Sequence, residues 1–191
     1  AITNTAAIKV KMFGKIVNNI IDVKILDHIS YVQLHHGPTL AFKDIAMQVL
    51  GGMYELLLKS ENIKINLVTA TSGDTGAAAI DAIKDKKNVN IFVLHPHNKI
   101  SSVQRQLMTT CNAENVFNIA IKGSFDDCQK IVKDMFVDQD FANKINMSGV
   151  NSINWARIIA QIVYYFFIYY KFNNSKKPIV VSFIVNFFEQ L

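Results

Sequence analysis

Residues 63–94 read IKINLVTATSGDTGAAAIDAIKDKKNVNIFVL. Ile63 to Ala70 is a run of apolar and β-branched residues, the length of a buried strand and too short for an ordinary helix. Thr71 to Gly76 follows with two glycines and three hydroxyls, the punctuation of a loop. Thr75 to Lys84 is alanine-rich and helical, and Val89 to Leu94 is a second strand that His95-Pro96 is expected to end. A strand, a crossover helix and a strand make the repeating unit of a parallel sheet.

The same alternation continues on both sides. Upstream, Asp44 to Leu58 is helical, with Ile45, Val49, Gly52, Met53 and Leu56 on one stripe, and Tyr31 to Leu34 reads as the end of a strand. Downstream come a helix at Ser101–Thr109, a strand at Val116–Ile121, a helix at Phe125–Val137, a long helix at Asn151–Tyr170 and a last strand at Ile179–Val185. Asn173 to Pro178 is the clearest loop. The expected fold is α/β, an open, mostly parallel sheet with helices on both faces.

Composition narrows the functional classes. Half of the 191 residues are apolar, which is enough to fill a core. The net charge of +5 is scattered, with basic pairs only at Lys86-Lys87 and Lys176-Lys177, so no nucleic-acid footprint is expected. Ile158 to Tyr170 is almost wholly apolar and aromatic, but Arg157, Gln161 and Lys171 bound or interrupt it. A bilayer span needs about 20 apolar residues, so a buried helix is expected and no membrane. Cys111 and Cys128 form neither a CxxC nor a disulfide framework. Reduced cytoplasmic thiols are expected, with Cys128 a small core residue. No secretory leader is read at the start, and Ala1 in place of Met suggests that an N-terminal part is missing. The histidine pairs His35-His36 and His95-Pro96-His97 lack the spacing and acidic companions of a metal site, so none is expected.

Three stretches carry candidate chemistry. In His36-Gly37-Pro38-Thr39-Leu40-Ala41-Phe42-Lys43-Asp44, a rigid Gly-Pro turn delivers Lys43 to the entry of a helix beside Phe42. An amine held against apolar neighbours near a positive helix end is favoured as the neutral nucleophile, which a Schiff-base lysine needs. By spacing alone a solvated lysine in a first helical turn is the commoner outcome. The second stretch is Thr69 to Ala77. Its hydroxyls and glycines, with the free N–H groups of a helix start, suit a small oxyanion such as a carboxylate or phosphate. It has neither the GK[ST] of a P-loop nor GxGxxG. An ordinary capped turn, with Asp74 or Thr75 as N-cap, reads equally well. The third is Val150 to Arg157. Asn151 or Ser152 is a natural N-cap, and Asn154, Arg157 and Gln161 share one helical stripe. Arg157 there serves either as a fork for phosphate or carboxylate or as the partner of a structural acid.

The three stretches, in this order, resemble threonine synthase. Leu34 to Asp44 is similar to that family's cofactor-lysine signature, and Thr69 to Ala79 to its substrate-anchoring loop. Lys99-Ile100-Ser101, Gln104, Phe125 to Gln129 and Asn151 to Gln161 also resemble family stretches, so the likeness runs from about Tyr31 to Val181. The resemblance implies a fold-type II pyridoxal 5'-phosphate enzyme that converts O-phospho-L-homoserine and water into L-threonine and phosphate. It implies that Lys43 bonds to the cofactor and, once freed, moves protons at the substrate. Asp74 is then near the cofactor's phenolic oxygen. Thr71, Ser72, Gly73 and Thr75 hold substrate oxyanions, and Asn151, Ser152 and Arg157 take the substrate's phosphate. The implied division is residues 1–62 for the N-terminal part of the cofactor domain, 63–150 for a smaller α/β substrate-anchoring domain, and 151–191 for a long helix and the start of the large-domain remainder.

The sequence departs from the family pattern at its end. Where the family has a glycine-rich loop for the cofactor phosphate, this chain has Ser182-Phe183-Ile184-Val185-Asn186-Phe187-Phe188-Glu189. A truncated or frameshifted copy of a longer enzyme, with poor cofactor affinity and an aggregation-prone tail, is the expectation. Two alternatives stay open. One is a related cofactor enzyme such as a serine/threonine dehydratase or cysteine synthase, against which Pro38 to Lys43 and Thr71 to Asp74 argue. The other is a non-catalytic α/β piece binding small anions or a partner chain.

Overall fold

The computed structural model describes residues 21–26, 29–151 and 155–172. The tail at Ser182–Glu189 and the expected strand at Ile179–Val185 lie outside them. Asp22–Leu26 (β1) and Ile29–Gln33 (β2) pair antiparallel, apart from the main sheet. The chain continues through Asp44–Glu61 (α1), Ile65–Ala70 (β3), Asp74–Ile83 (α2), Val89–Pro96 (β4), Ser102–Thr109 (α3) and Val116–Ile121 (β5). It ends with Phe125–Val137 (α4), Gln139–Lys144 (α5), Met147–Gly149 (β6) and Trp155–Phe172 (α6).

The main sheet has the order β5-β4-β3-β6, and every neighbouring pair is parallel. Alternation along the strands feeds two cores. Leu67, Ile91 and Val93 face Met47 and Leu50 of α1, Ala77 to Ile80 of α2 and Met108 of α3. Val68 and Leu94 point the other way, toward Cys128, Val132 and Met135 of α4. Helices therefore cover both faces, as the strand–helix alternation predicts. Cys128 is fully buried, and burial pushes its thiol above the usual range, as suits a core residue.

Local chemistry sets several boundaries. α4 starts in a capping box in which Ser124 and Asp127 exchange hydrogen bonds, so this acidic stretch serves the helix end. α1 ends at Asn62 in the left-handed conformation (φ 52°), one of the few states in which Asn replaces Gly at little cost. A Cβ on Gly51 would lie 2.5 Å from the Ala82 carbonyl oxygen, so a glycine in α1 and an alanine-rich α2 let these helices approach closely.

Four sequence expectations are corrected. β4 does not end at Leu94 but runs through His95 and Pro96, which pair with Ala120 and Ile121. Proline at a strand's last position forfeits only one ladder bond. On α1 the stripe of Ile45, Val49, Gly52, Met53 and Leu56 is not the buried one, since Met53 and Leu56 are exposed. Met47, Leu50, Gly51 and Leu58 face the sheet and α2 instead, and Ile45 packs under α6. The helix at Ile158–Tyr170 is confirmed as a helix but not as a buried one. Of the α6 residues only Arg157, Tyr164 and Ile168 are buried, because α1 covers a single face of it. Finally, α2 is capped by Gly73 rather than by Asp74 or Thr75. The unforeseen β1, α5 and β6 are short, and β6 owes its strand state to pairing with β3. No helix among the described residues is long and apolar enough to cross a membrane.

Candidate active site

The turn before α1 is built around one carboxylate. Gly37 and Leu40 close it with a backbone bond of 3.1 Å. Asp44, at 1% exposure, accepts from the Thr39 N–H (3.0 Å), the Ala41 N–H (3.4 Å) and the Thr39 hydroxyl. A Cβ on Gly37 would sit 2.3 Å from Asp44 Oδ2, so only glycine admits this inward carboxylate. Burial pushes the Asp44 carboxyl above its usual range, against the pull of its three hydrogen bonds. Leu40 takes φ 60°, a strained state for a side chain branched at Cγ, three residues before the candidate lysine. Asp44 was not singled out as a site residue, because an acid in a first helical turn is ordinary.

This knot delivers Lys43. It is the N-cap residue of α1, 8% exposed, with Nζ 3.4 Å from Asp74 Oδ2 and 4.8 Å from the centre of the Phe42 ring. The amine is thus buried beside Phe42 as expected. Its nearest partner, however, is a carboxylate and not apolar surface alone.

Asp74 opens α2 from the glycine-bearing turn. Behind that turn Thr71, 2% exposed, accepts from the N–H groups of Gly73 and Gly76, both at 2.9 Å. Its hydroxyl oxygen shapes the loop from within. Ser72, Asp74 and Thr75 are half-buried, on the accessible side, while Gly73 is buried. Gly73 adopts φ +144°, a state closed to L side chains, and a Cβ there would lie 2.2 Å from Gln104 Cδ. The Gln104 carboxamide crosses over this glycine and donates from Nε2 to Asp74 Oδ1 at 2.7 Å.

Arg157 enters from α6. It is 6% exposed and donates from Nη1 to Gln161 Oε1 at 2.8 Å, so two members of the expected polar stripe meet. Burial pushes the guanidinium below its usual range. Seven residues on, the fully buried Tyr164 donates its hydroxyl to the Phe42 carbonyl. Burial raises that phenol well above its usual range. Tyr164 ties α6 to the residue next to Lys43. It escaped notice in the sequence because it stands among many aromatics. Asn151 is exposed and precedes α6, while Ser152 and Asn154 lie outside the described residues.

A cavity of about 410 Å³ opens beside this region, lined by Pro38, Thr39, Asp81, Lys84, Thr110 and Cys111 among others, and it contains neither Lys43 nor Asp74. Its lysine is already engaged by Asp81 at 2.6 Å. Among the described residues no group of three or more His, Cys, Asp or Glu gathers as metal ligands.

No family model matches the chain. Curated relatives do. The chain is 47% identical over 167 residues to the threonine synthase of Eremothecium gossypii, covering 83% of this chain and 32% of that protein. It is 54% identical over 135 residues to the threonine synthase of Pseudomonas aeruginosa, covering 71% and 29%. A crystal structure of pyridoxal-phosphate-bound threonine synthase from Brucella melitensis superposes with a TM-score of 0.77 at 44% identity, covering 83% of this chain and 34% of that one. The resemblance to threonine synthase is borne out, and so is the expected fold-type II α/β class. The chain spans about a third of the length of the curated relatives it matches.

Proposed function

We propose that this chain, similar to threonine synthases over most of its length, carries the lysine-bearing part of a pyridoxal-phosphate lyase site that turns O-phospho-L-homoserine and water into L-threonine and phosphate. The observation that carries this reading is the Lys43 amine, buried and 3.4 Å from Asp74 at the mouth of the Thr71–Gly76 turn. That pairing joins residues 31 positions apart whose surroundings resemble two family signatures.

The residues present fit the amine-binding end of the cofactor. A buried lysine on a rigid turn can bond to an aldehyde, and Asp74 beside it provides a polar contact for the ring's oxygen side. When bound, pyridoxal phosphate supplies an electron sink for charge developing on substrate carbons. Everything else falls to the protein. Lys43 would hold the cofactor through its aldehyde end and, as a free amine beside bound substrate, would carry protons at the substrate's α and β carbons. Ser72 and Thr75, with the N–H groups opening α2, grip the substrate carboxylate, while Thr71 and Gly73 hold the turn in shape. Arg157, with Asn151 and Ser152, takes the substrate phosphate and holds it as it leaves.

The domain division at residues 62 and 150 is part of this proposal. Its support is that all four strands of the parallel sheet come from residues 65–149, whereas α6 returns to pack on α1. A cytoplasmic location is likewise proposed, supported by two free cysteines.

The test is an absorbance scan of the chain with added pyridoxal phosphate. A band at the border of the visible and ultraviolet is expected, and Lys43→Ala abolishes it. Phosphate release from O-phosphohomoserine then separates a threonine synthase from a dehydratase. In the chain, or in a longer protein containing it, Lys43→Ala lowers that rate at least about a hundredfold. If no Lys43-dependent band forms, the non-catalytic anion-binding reading takes over.

A further inference from the structure

Gln104 stands outside the catalytic roles assigned above, yet the site is built around its carboxamide. Ser101 and Gln104 have the spacing of a capping box, and the Ser101 oxygen does accept from the Gln104 N–H at 3.2 Å. In the usual box the glutamine side chain would return to the N-cap backbone. Here it leaves the helix end and reaches across to α2. Its Oε1 accepts from the Ser101 hydroxyl at 3.0 Å, and its Nε2 donates to Asp74 Oδ1 at 2.7 Å. An ionised Asp74 only accepts, so the amide turns its Nε2 donor to the carboxylate and leaves Oε1 for the Ser101 hydroxyl. The side chain is 4% exposed, and the space it occupies over Gly73 is the space a Cβ would need. Asp74 is thereby divided, with Oδ1 held by Gln104 and Oδ2 facing the Lys43 amine.

We propose that Gln104 is a positioning residue for Lys43, acting through Asp74. The chain Ser101–Gln104–Asp74–Lys43 fixes the carboxylate's rotation and leaves one oxygen for the amine. A neutral donor is required at its centre. Glutamate there would set a second negative charge against Asp74, and an apolar side chain would free Asp74 to turn both oxygens toward Lys43. In either case the carboxylate's hold on the amine is strengthened. The catalytic meaning of this relay rests on the proposed role of Lys43, but the relay can be tested without cofactor.

The test is reductive dimethylation of the full chain with formaldehyde and cyanoborohydride at neutral pH. Peptide mass spectrometry reads the rate at Lys43 against that at the exposed Lys130 as internal standard. Gln104→Glu is expected to slow Lys43 about tenfold relative to Lys130, the effect of a second carboxylate holding the amine. Gln104→Met fills the same space without a donor and is expected to slow it at least about threefold, because the bond lost is one to a charged carboxylate. A role confined to packing over Gly73 leaves the ratio unchanged in the methionine variant. An unchanged ratio in both variants, with circular dichroism intact, overturns the proposal. If the glutamate variant does not fold, the methionine variant decides. Should the ratios shift while no Lys43-dependent absorbance band forms with pyridoxal phosphate, the relay stands and the cofactor reading fails.

Discussion

Asp44 is one of the least exposed acids in the described chain, and its place has an energetic consequence. Taking a carboxylate out of water costs free energy that three hydrogen bonds only partly offset, which is why its proton affinity rises. An acid whose folded pKa lies above its unfolded value adds stability that is complete below the ordinary value of 3.8 and is lost as pH rises through the folded value. The native chain should therefore lose stability relative to Asp44→Asn as the pH rises above 3.8. Urea midpoints of both proteins at several pH values check this, and a difference flat with pH would refute it. The Asp44 hydrogen bonds offset the strain at Leu40 and fix the turn that leads to Lys43. Tyr164 completes the grip. Tyr164→Phe leaves the Phe42 carbonyl without this donor and should cost about 1–3 kcal/mol in urea unfolding. Of these residues, Lys43 and Asp74 were legible because their surroundings form recognisable motifs. Asp44 and Tyr164 were not, since an acid in a first turn and a tyrosine among aromatics each have a commonplace reading, and Gln104 stood out only as part of a family-like stretch, with no role attached.

The helices and strands were mostly legible, but the faces they turn inward were not. α1 is apolar at many positions, so more than one stripe of helical spacing exists. The expected one, with Met53 and Leu56, lost to Met47, Leu50, Gly51 and Leu58. The choice was made by α2, whose small residues leave room for a close crossing at Gly51. Gly51→Val should push the two helices apart and cost about 1–3 kcal/mol, the usual penalty for overpacking. A thermal or urea melt reads this directly, and an unchanged midpoint would show that the crossing is looser than the 2.5 Å approach implies. β6 is the opposite case. Met147-Ser148-Gly149 has no strand signal of its own and becomes a strand because β3 offers an edge.

Among the described residues, the central strands of the parallel sheet are buried whereas most of α6 is not. Trp155, Ile159, Phe166, Tyr169 and Tyr170 of α6 are each more than half exposed, whereas Leu67, Val68, Ile91, Val93 and Leu94 of β3 and β4 are buried. An apolar surface of this kind binds hydrophobic dyes. The double variant Phe166→Ser, Tyr170→Ser should lower the fluorescence of such a dye at least about twofold, with helix content unchanged by circular dichroism. Equal fluorescence would mean that α6 is covered in solution.

Order of elements and chemistry of motifs are properties of short stretches, because strand and helix periods, turn residues and cap spacing act within a few bonds of one another. The sequence therefore settled the parallel α/β class, the strand and turn that lead to Asp74, and the lysine on its Gly-Pro turn. Which face of a helix is buried, and which side chain reaches a partner tens of residues away, are properties of packing, where many local solutions are nearly equal in energy. Only folding brought Asp74 to Lys43, sent Gln104 across Gly73 and set Tyr164 against Phe42, since each of those contacts exists only once the helices have closed on the sheet and on one another.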